Sequence, residues 1–411
     1  MHCCYSGAPT SQVHPAPASG VHELAVDEQI AAERAKAEKQ RLIVLLGCGE
    51  SGKSTLFKTL KQIHHIAHSP HDRHVWRESI MAMLANDTMT IVRGAALPSV
   101  AAAITGSADQ PLVWSDKVSA ILQGASLSTL LARKPFPPEG DASSSANVDP
   151  VAPDGQLWAD ALDVIRLIWN DPLTAKLLEV RHLMQLGDHC EYFFGQLDTI
   201  AKPGWEPTDD DIVRARIKTT GIIEQEIEFD GNVLRMVDVG GQRSERKKWL
   251  HNDQPISQFE KASIVIFVVS LAEYDVMCYE DNNVPRWLES FRVFQDICRS
   301  PALRNARIVI FFNKMDLLEK KLAARPFSKY VTDYIGNGSA DSVCRFMAAK
   351  YTNAGQACFA ELGDAPGKRT LSTYFTTAIS GDDVQKVFES VRDTVFTKRE
   401  AAPSSSVALA D

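Results

Sequence analysis

Residues 47–55 read Gly-Cys-Gly-Glu-Ser-Gly-Lys-Ser-Thr, and few other short stretches restrict a fold so tightly. The run satisfies G-x-x-x-x-G-K-[ST], a loop that wraps phosphate. Gly47, Gly49 and Gly52 let the backbone turn without Cβ clashes, so the N–H groups of Cys48, Glu50, Ser51 and Thr55 can point inward at a dense negative charge. Lys53 brings a mobile cation to the outer phosphates, and the Ser54 hydroxyl is placed to ligate Mg²⁺. The flanks agree. Leu42-Ile-Val-Leu-Leu46 has the continuous apolar character of a buried strand. Residues 53–66 read as a helix whose positive N-terminus faces the phosphates. The plain alternative is a glycine-rich turn that binds nothing.

The chain has 411 residues, enough for two or more domains with ample cores. A net charge of −8 argues against a general nucleic-acid binder. There is no run of about 18 apolar residues and no secretory leader pattern, so neither a membrane span nor export is expected. The eight cysteines form no C-x-x-C pair, which suits a reducing compartment. Residues 1–20 are rich in Pro, Ser, Ala and His and predict a flexible tail. Residues 21–41 lack Gly and Pro and predict a helix with a thin apolar stripe, suited to a partner surface. From about 71 to 203 the periodicity is helical, with apolar spacings of three and four in Trp158–Trp169. Within it, the Pro-, Ser- and Gly-dense residues 134–155 read as a looping insertion. After 220 the pattern changes to strands alternating with helices. Residues 222–229 and 232–237 flank an Asp-Gly turn and predict a hairpin. Ile264–Val269 and Ile308–Phe312 read as strands buried on both faces. A last strand is expected at 374–377 and a helix at 382–398. The sum is a doubly wound α/β domain with an all-helical domain inserted after its first helix.

Three further motifs follow these strands in an order that suits a GTPase. Asp238-Val-Gly-Gly-Gln242 ends a strand. Its acid can hold Mg²⁺ through water, Gly241 can offer an N–H to a γ-phosphate, and Gln242 can position a water. Asn313-Lys314-Met-Asp316 follows the next buried strand, and the Asp316 carboxylate can accept from the N1–H and N2–H₂ of guanine, which adenine cannot supply. Thr376-Thr377-Ala378 can give a backbone N–H to guanine O6.

On these residues, and on Asp211-Ile-Val-Arg-Ala-Arg-Ile-Lys-Thr-Thr-Gly221 and Asp238–Trp249, the chain resembles heterotrimeric G-protein α subunits from about residue 26 to 398. The resemblance implies a Ras-like P-loop GTPase domain (42–70 and 206–399) with an inserted helical domain (71–205), an N-terminal tail and helix (1–41) and a flexible tail (400–411). It implies GTP, GDP and Mg²⁺ as ligands. Arg216 is then an arginine finger supplied by the chain itself, as is general for this family. Thr219 joins Ser54 and Asp238 around the metal, while Asp188, Ile212 and Arg214 lie near the nucleotide. Implied partners are a Gβγ dimer, a G-protein-coupled receptor and an effector, at the cytoplasmic face of the plasma membrane with part of the protein in the cytoplasm. Two rivals remain in view: a nucleotide-holding scaffold that cycles little, and a P-loop nucleotide kinase, against which the guanine signature speaks.

Several features depart from the family pattern. Cys48 stands where Ala is usual and reads either as a small apolar group or as a thiolate at a helix N-terminus. Ile379 replaces a second Thr. Residues 251–258 look longer than their counterpart, and 399–411 lack the usual Leu-rich end. His2 rules out the Met-Gly myristoylation signal, leaving Cys3 and Cys4 as S-palmitoylation candidates or as free thiols. His64, His65, His68, His71 and His74 read as a solvated linker or, less simply, as a metal site. The charges from Arg243 to Lys248 read as a solvated face or as part of a nucleotide-sensitive switch.

Overall fold

The computed structural model describes residues 40–123, 154–217, 219, 221–229, 232–250, 259–278, 280–281, 283–365, 368–369 and 371–396. The tail and helix expected before residue 40, Cys3, Cys4, the extra turn at 251–258 and the end after 396 lie outside them, as does most of the 134–155 insertion.

Six strands form one sheet in the order β2-β3-β1-β4-β5-β6. They are β1 (Gln40–Leu46), β2 (Ile222–Phe229), β3 (Asn232–Val239), β4 (Ile264–Ser270), β5 (Arg307–Asn313) and β6 (Leu371–Phe375). Only β2 runs antiparallel, paired with β3 in the expected hairpin; the other neighbours are parallel. Because side chains alternate along a strand, each buried strand feeds two cores. Val44, Leu46, Val265, Phe267, Ile308, Ile310 and Phe312 point to one face. Ile43, Leu45, Ile264, Ile266, Val309 and Phe311 point to the other. That double burial is why these strands read as unbroken apolar runs.

Fifteen α-helices lie among the described residues. The first, α1 (Lys53–Ile63), begins at Gly52, whose φ of 102° suits glycine. It ends three residues before the expected Ile66, where His65 turns left-handed at φ 51°. Next come α2 (Pro70–Ala95), α3 (Pro98–Thr105), α4 (Asp116–Gln123), α5 (Asp154–Trp169), α6 (Pro172–Glu179), α7 (Arg181–Met184), α8 (Cys190–Phe194), α9 (Leu197–Ile200) and α10 (Asp209–Arg214). The remainder are α11 (Arg243–Leu250), α12 (Arg286–Arg299), α13 (Met315–Ala324), α14 (Ala340–Glu361) and α15 (Gly381–Phe396). A capping box starts α2, with the Ser69 hydroxyl accepting from the Asp72 N–H and Asp72 accepting from the Ser69 N–H. Thr208 and Asp211 start α10 the same way.

Between α1 and β2 no strand occurs among the described residues. Ile80, Leu84 and Ile91 of α2 meet Ile165, Ile168, Leu177 and Phe193 in a third core, separate from the two on the sheet. Other boundaries differ from the sequence reading as well. Gln40 and Arg41 belong to β1, because they pair with Val233 and Leu234 of β3. Helix α5 already begins at Asp154, inside the expected insertion. Strand β6 ends at Phe375, so Thr376 and Thr377 lie in the loop beyond it. No single described helix is long and apolar enough to cross a membrane.

Candidate functional site

The loop after β1 lies where the parallel strands turn to opposite sides, the crevice in which doubly wound sheets take ligands. Two of its glycines are tightly enclosed. A Cβ on Gly47, at φ 143°, would sit 2.5 Å from the Val268 carbonyl oxygen. A Cβ on Gly52 would collide with the Asn313 amide. Lys53 is buried and donates to the carbonyls of Gly47 and Cys48, each at 2.9 Å. Burial lowers its pKa, opposed by the Asp238 charge.

The three expected metal ligands come together across the fold. Ser54 Oγ lies 2.7 Å from Thr219 Oγ1 and donates to Asp238 Oδ2 at 2.6 Å. Asp238 is almost wholly buried, which raises its pKa against the pull of Lys53. Its Oδ1 is buried with no hydrogen-bond partner. An all-oxygen donor set with one orphaned carboxylate oxygen fits a hard divalent cation such as Mg²⁺.

Arg216 donates to Glu50, which also pairs with Arg286. Burial alone would raise the Glu50 pKa, but the two guanidiniums outweigh it and lower the value. Glu50 sits at φ 67°, a strained conformation for a residue with a Cβ. Gln242 is half-buried, with its side chain beside Gly49. Gly241 has no room for a side chain, since a Cβ there would lie 2.5 Å from the Gly47 carbonyl oxygen. Behind it, Arg246 donates to the Gly241 carbonyl at 3.0 Å and to Glu289 at 2.8 Å. Arg243 grips the same Glu289 with two nitrogens, at 2.9 and 3.0 Å. These two arginines therefore anchor α11 to α12 and do not form a solvated face.

At the other end of the crevice, Asn313 is buried. It donates to the Ser51 carbonyl at 2.9 Å and accepts the Ala378 N–H at 2.9 Å. Asn313 thus ties three loops together, and the Ala378 N–H, in the segment expected to reach guanine O6, rests on its amide oxygen. A buried amide oxygen needs a donor, and that N–H supplies it. Thr377 is half-buried beside it. Asp316 is half-buried at the start of α13 and has no hydrogen-bond partner among the described residues. Lys314 bonds Asp188 at 3.1 Å and Glu273 at 2.7 Å. Although burial would raise the Asp188 pKa, Lys314 and Arg181 hold it far below the usual range.

Ile212 is fully buried, donates its N–H to the Thr208 carbonyl at 3.0 Å and gives its own carbonyl to Lys58 at 3.1 Å. Arg214 stacks on the Tyr192 ring at 4.6 Å. Cys48 packs against the sheet core, and burial pushes its thiol up to about 11, which disfavours a thiolate. The histidines after α1 do not converge as a ligand set among the described residues; His74 pairs with Glu78 at 3.0 Å. Sequence reasoning did not find Arg286, Glu273 or Glu289, which no local motif marks.

A family model described as G-protein alpha subunit matches residues 21–395. A guanine nucleotide-binding protein subunit alpha of Coprinellus congregatus is 32% identical over 371 residues, covering 90% of this chain and 92% of the relative. A guanine nucleotide-binding protein alpha-1 subunit of Mycosarcoma maydis is 30% identical over 372 residues, again 90% of this chain and 92% of the relative. A phosphate loop facing a hard-cation ligand set, a guanine motif at the end of β5 and a match over nearly the whole length all agree: the chain belongs to the G-protein alpha subunit family.

Proposed function

We propose that this chain hydrolyses GTP with Arg216 and Gln242 as its catalytic residues and with Ser54, Thr219 and Asp238 around Mg²⁺. The protein is a guanine nucleotide-binding GTPase of G-protein signalling, and as a Gα-family member it works with Gβγ and an effector. The observation that carries the residue assignment is the convergence of Ser54, Thr219 and Asp238 within 2.7 Å steps beside the loop that holds Lys53. Bound Mg²⁺ supplies charge neutralisation at the phosphates. Lys53 adds a second cation there. Gln242 orients the attacking water. Arg216, which Glu50 holds at the edge of the loop, moves onto the transferring phosphoryl group. No covalent intermediate forms. Loss of the γ-phosphate releases Thr219 and Gly241, and both switch segments relax.

Asp316 reads the base, and Asp188 with Lys314 closes the crevice. The two groups of cores support a division into a Ras-like unit (42–70 and 206–399) and a helical unit (71–205). Receptor coupling and attachment to the cytoplasmic face of the plasma membrane through acylated Cys3 and Cys4 complete the reading. A hydroxylamine-sensitive acyl label lost in Cys3→Ser with Cys4→Ser tests the attachment.

Single-turnover hydrolysis tests the catalytic roles. Arg216→Cys and Gln242→Leu should each slow turnover by about 10²-fold or more while nucleotide affinity stays near the parent's. Ser54→Asn should instead impair binding of the Mg²⁺·GTP form. Parent-like turnover in both of the first two variants would favour the slowly cycling scaffold.

A further inference from the structure

Outside the nucleotide crevice, a cluster of three side chains has no part in the chemistry above. Asp87 lies midway along α2, His189 immediately precedes α8, and Cys190 is its first residue. The His189 Nε2 lies 2.8 Å from Asp87 Oδ2, and the Cys190 Sγ lies 3.4 Å from the same oxygen. All three ligand atoms fall within 4.8 Å of one another, the one such group of His, Cys, Asp or Glu among the described residues. The site is enclosed. Cys190 is fully buried, and the His189 and Asp87 side chains are only 7% and 13% exposed.

We propose that Asp87, His189 and Cys190 form a binding site for a thiophilic divalent cation of the zinc class. Ligands held about 2.0–2.3 Å from one ion at tetrahedral angles lie about 3.3–3.8 Å apart; Cys190 and Asp87, at 3.4 Å, already have that spacing, and His189 and Asp87, at 2.8 Å, would move apart by about half an ångström on binding. The donor types also select the ion. One thiolate, one imidazole and one carboxylate suit zinc, whereas Mg²⁺ takes oxygen and favours the Ser54, Thr219 and Asp238 set. The imidazole is already oriented: a Cβ on Gly187 would lie 2.5 Å from His189 Nδ1, so the ring rests on that glycine and turns Nε2 toward Asp87. Three protein ligands leave a fourth position for water.

The placement gives such an ion leverage. His189 directly follows Asp188, which pairs with Lys314 of the guanine motif at 3.1 Å. An ion on Asp87 therefore ties the long helix α2 to the turn that helps close the crevice.

The test uses the full-length, GDP-loaded protein in excess Mg²⁺, first stripped with a zinc chelator, then titrated with Co²⁺ and with Zn²⁺ against a chromophoric competitor. The parent should take up one Co²⁺ with a thiolate charge-transfer band, which the oxygen-only Mg²⁺ site cannot produce. Cys190→Ser should abolish the band. Cys190→Ser and His189→Gln should each weaken Zn²⁺ binding by on the order of 100-fold or more, at least the loss that follows removal of an outer-shell partner. GDP content reports that each variant is folded; if Cys190→Ser fails to retain GDP, His189→Gln decides on the same readouts. Absence of the band in the parent, or parent-like band and Zn²⁺ affinity in the folded variants, overturns the site.

Discussion

Asn313 and Asp316 stand in one short motif and do different work. Asn313 donates to the Ser51 carbonyl and accepts the Ala378 N–H, so it ties together the loops that shape the crevice. Asp316 makes no such tie among the described residues. Asp316→Asn should lower GDP affinity by about 10²-fold or more and raise affinity for xanthosine diphosphate, because the amide inverts one donor of the pattern and leaves a polar group unpaired. Competition binding with the two diphosphates checks this. Parent-like preference for GDP would remove Asp316 from the base site. The same logic separates the loop's own acid from its neighbours: Glu50 is a variable position of the phosphate motif, yet it holds Arg216 and Arg286 together.

Elements matter here through what their ends carry. Strand β5 delivers Asn313, and its last apolar residue, Phe312, is fully buried between Tyr351 at 5.5 Å and Phe375 at 5.4 Å. Phe312→Ala removes a ring that the surrounding helices cannot replace by collapse. Stability should fall by about 3–5 kcal/mol, seen as a lower urea midpoint. GDP binding should survive at low temperature, since the crevice itself keeps all its residues. Helix α11 behaves differently. Its described arginines are fastened to Glu289 of α12, so a segment that reads as a run of surface charge is held by a buried acid. That arrangement suits an element that must be fixed in one state and released in another.

At the scale of the whole molecule, polar links join the sheet to the helical part. Asp188, next to α8, pairs with Lys314, just beyond β5, and with Arg181 of α7. Lys58 of α1 reaches the carbonyls of Ile212 and Ala215 and lies 4.4 Å from the Trp76 ring of α2. Asp188 has its pKa held below the usual aspartate value near 3.8. The folded protein therefore binds fewer protons there than the unfolded chain. Its contribution is complete above pH 3.8 and is lost as pH falls through the lowered folded value. Asp188→Asn should cost about 1–3 kcal/mol at pH 7, with the gap to the parent narrowing below pH 4. Urea midpoints of both proteins between pH 3 and 7 measure it; a gap that does not change with pH would assign the loss to packing.

What the sequence determined alone was local. The phosphate loop, the hairpin of β2 and β3 and the doubly buried strands are legible because each signal sits within a few neighbouring residues, where backbone geometry and apolar period act directly. Element ends were less so: His65 stopping α1 and Gln40 entering β1 depend on packing and pairing. The family motifs also named Ser54, Thr219, Asp238, Arg216 and Gln242. Only the tertiary structure decided what those residues touch. Ser54 meets Asp238 across 184 positions, Arg216 meets Glu50 across 166, and His189 meets Asp87 across 102. No pattern in the chain links such partners, because the sheet order and the helical layer set their distance. The same holds for the Ala378 N–H, which meets the amide oxygen of Asn313 across 65 positions: satisfaction of buried polar groups is settled by the finished fold, not by the motif.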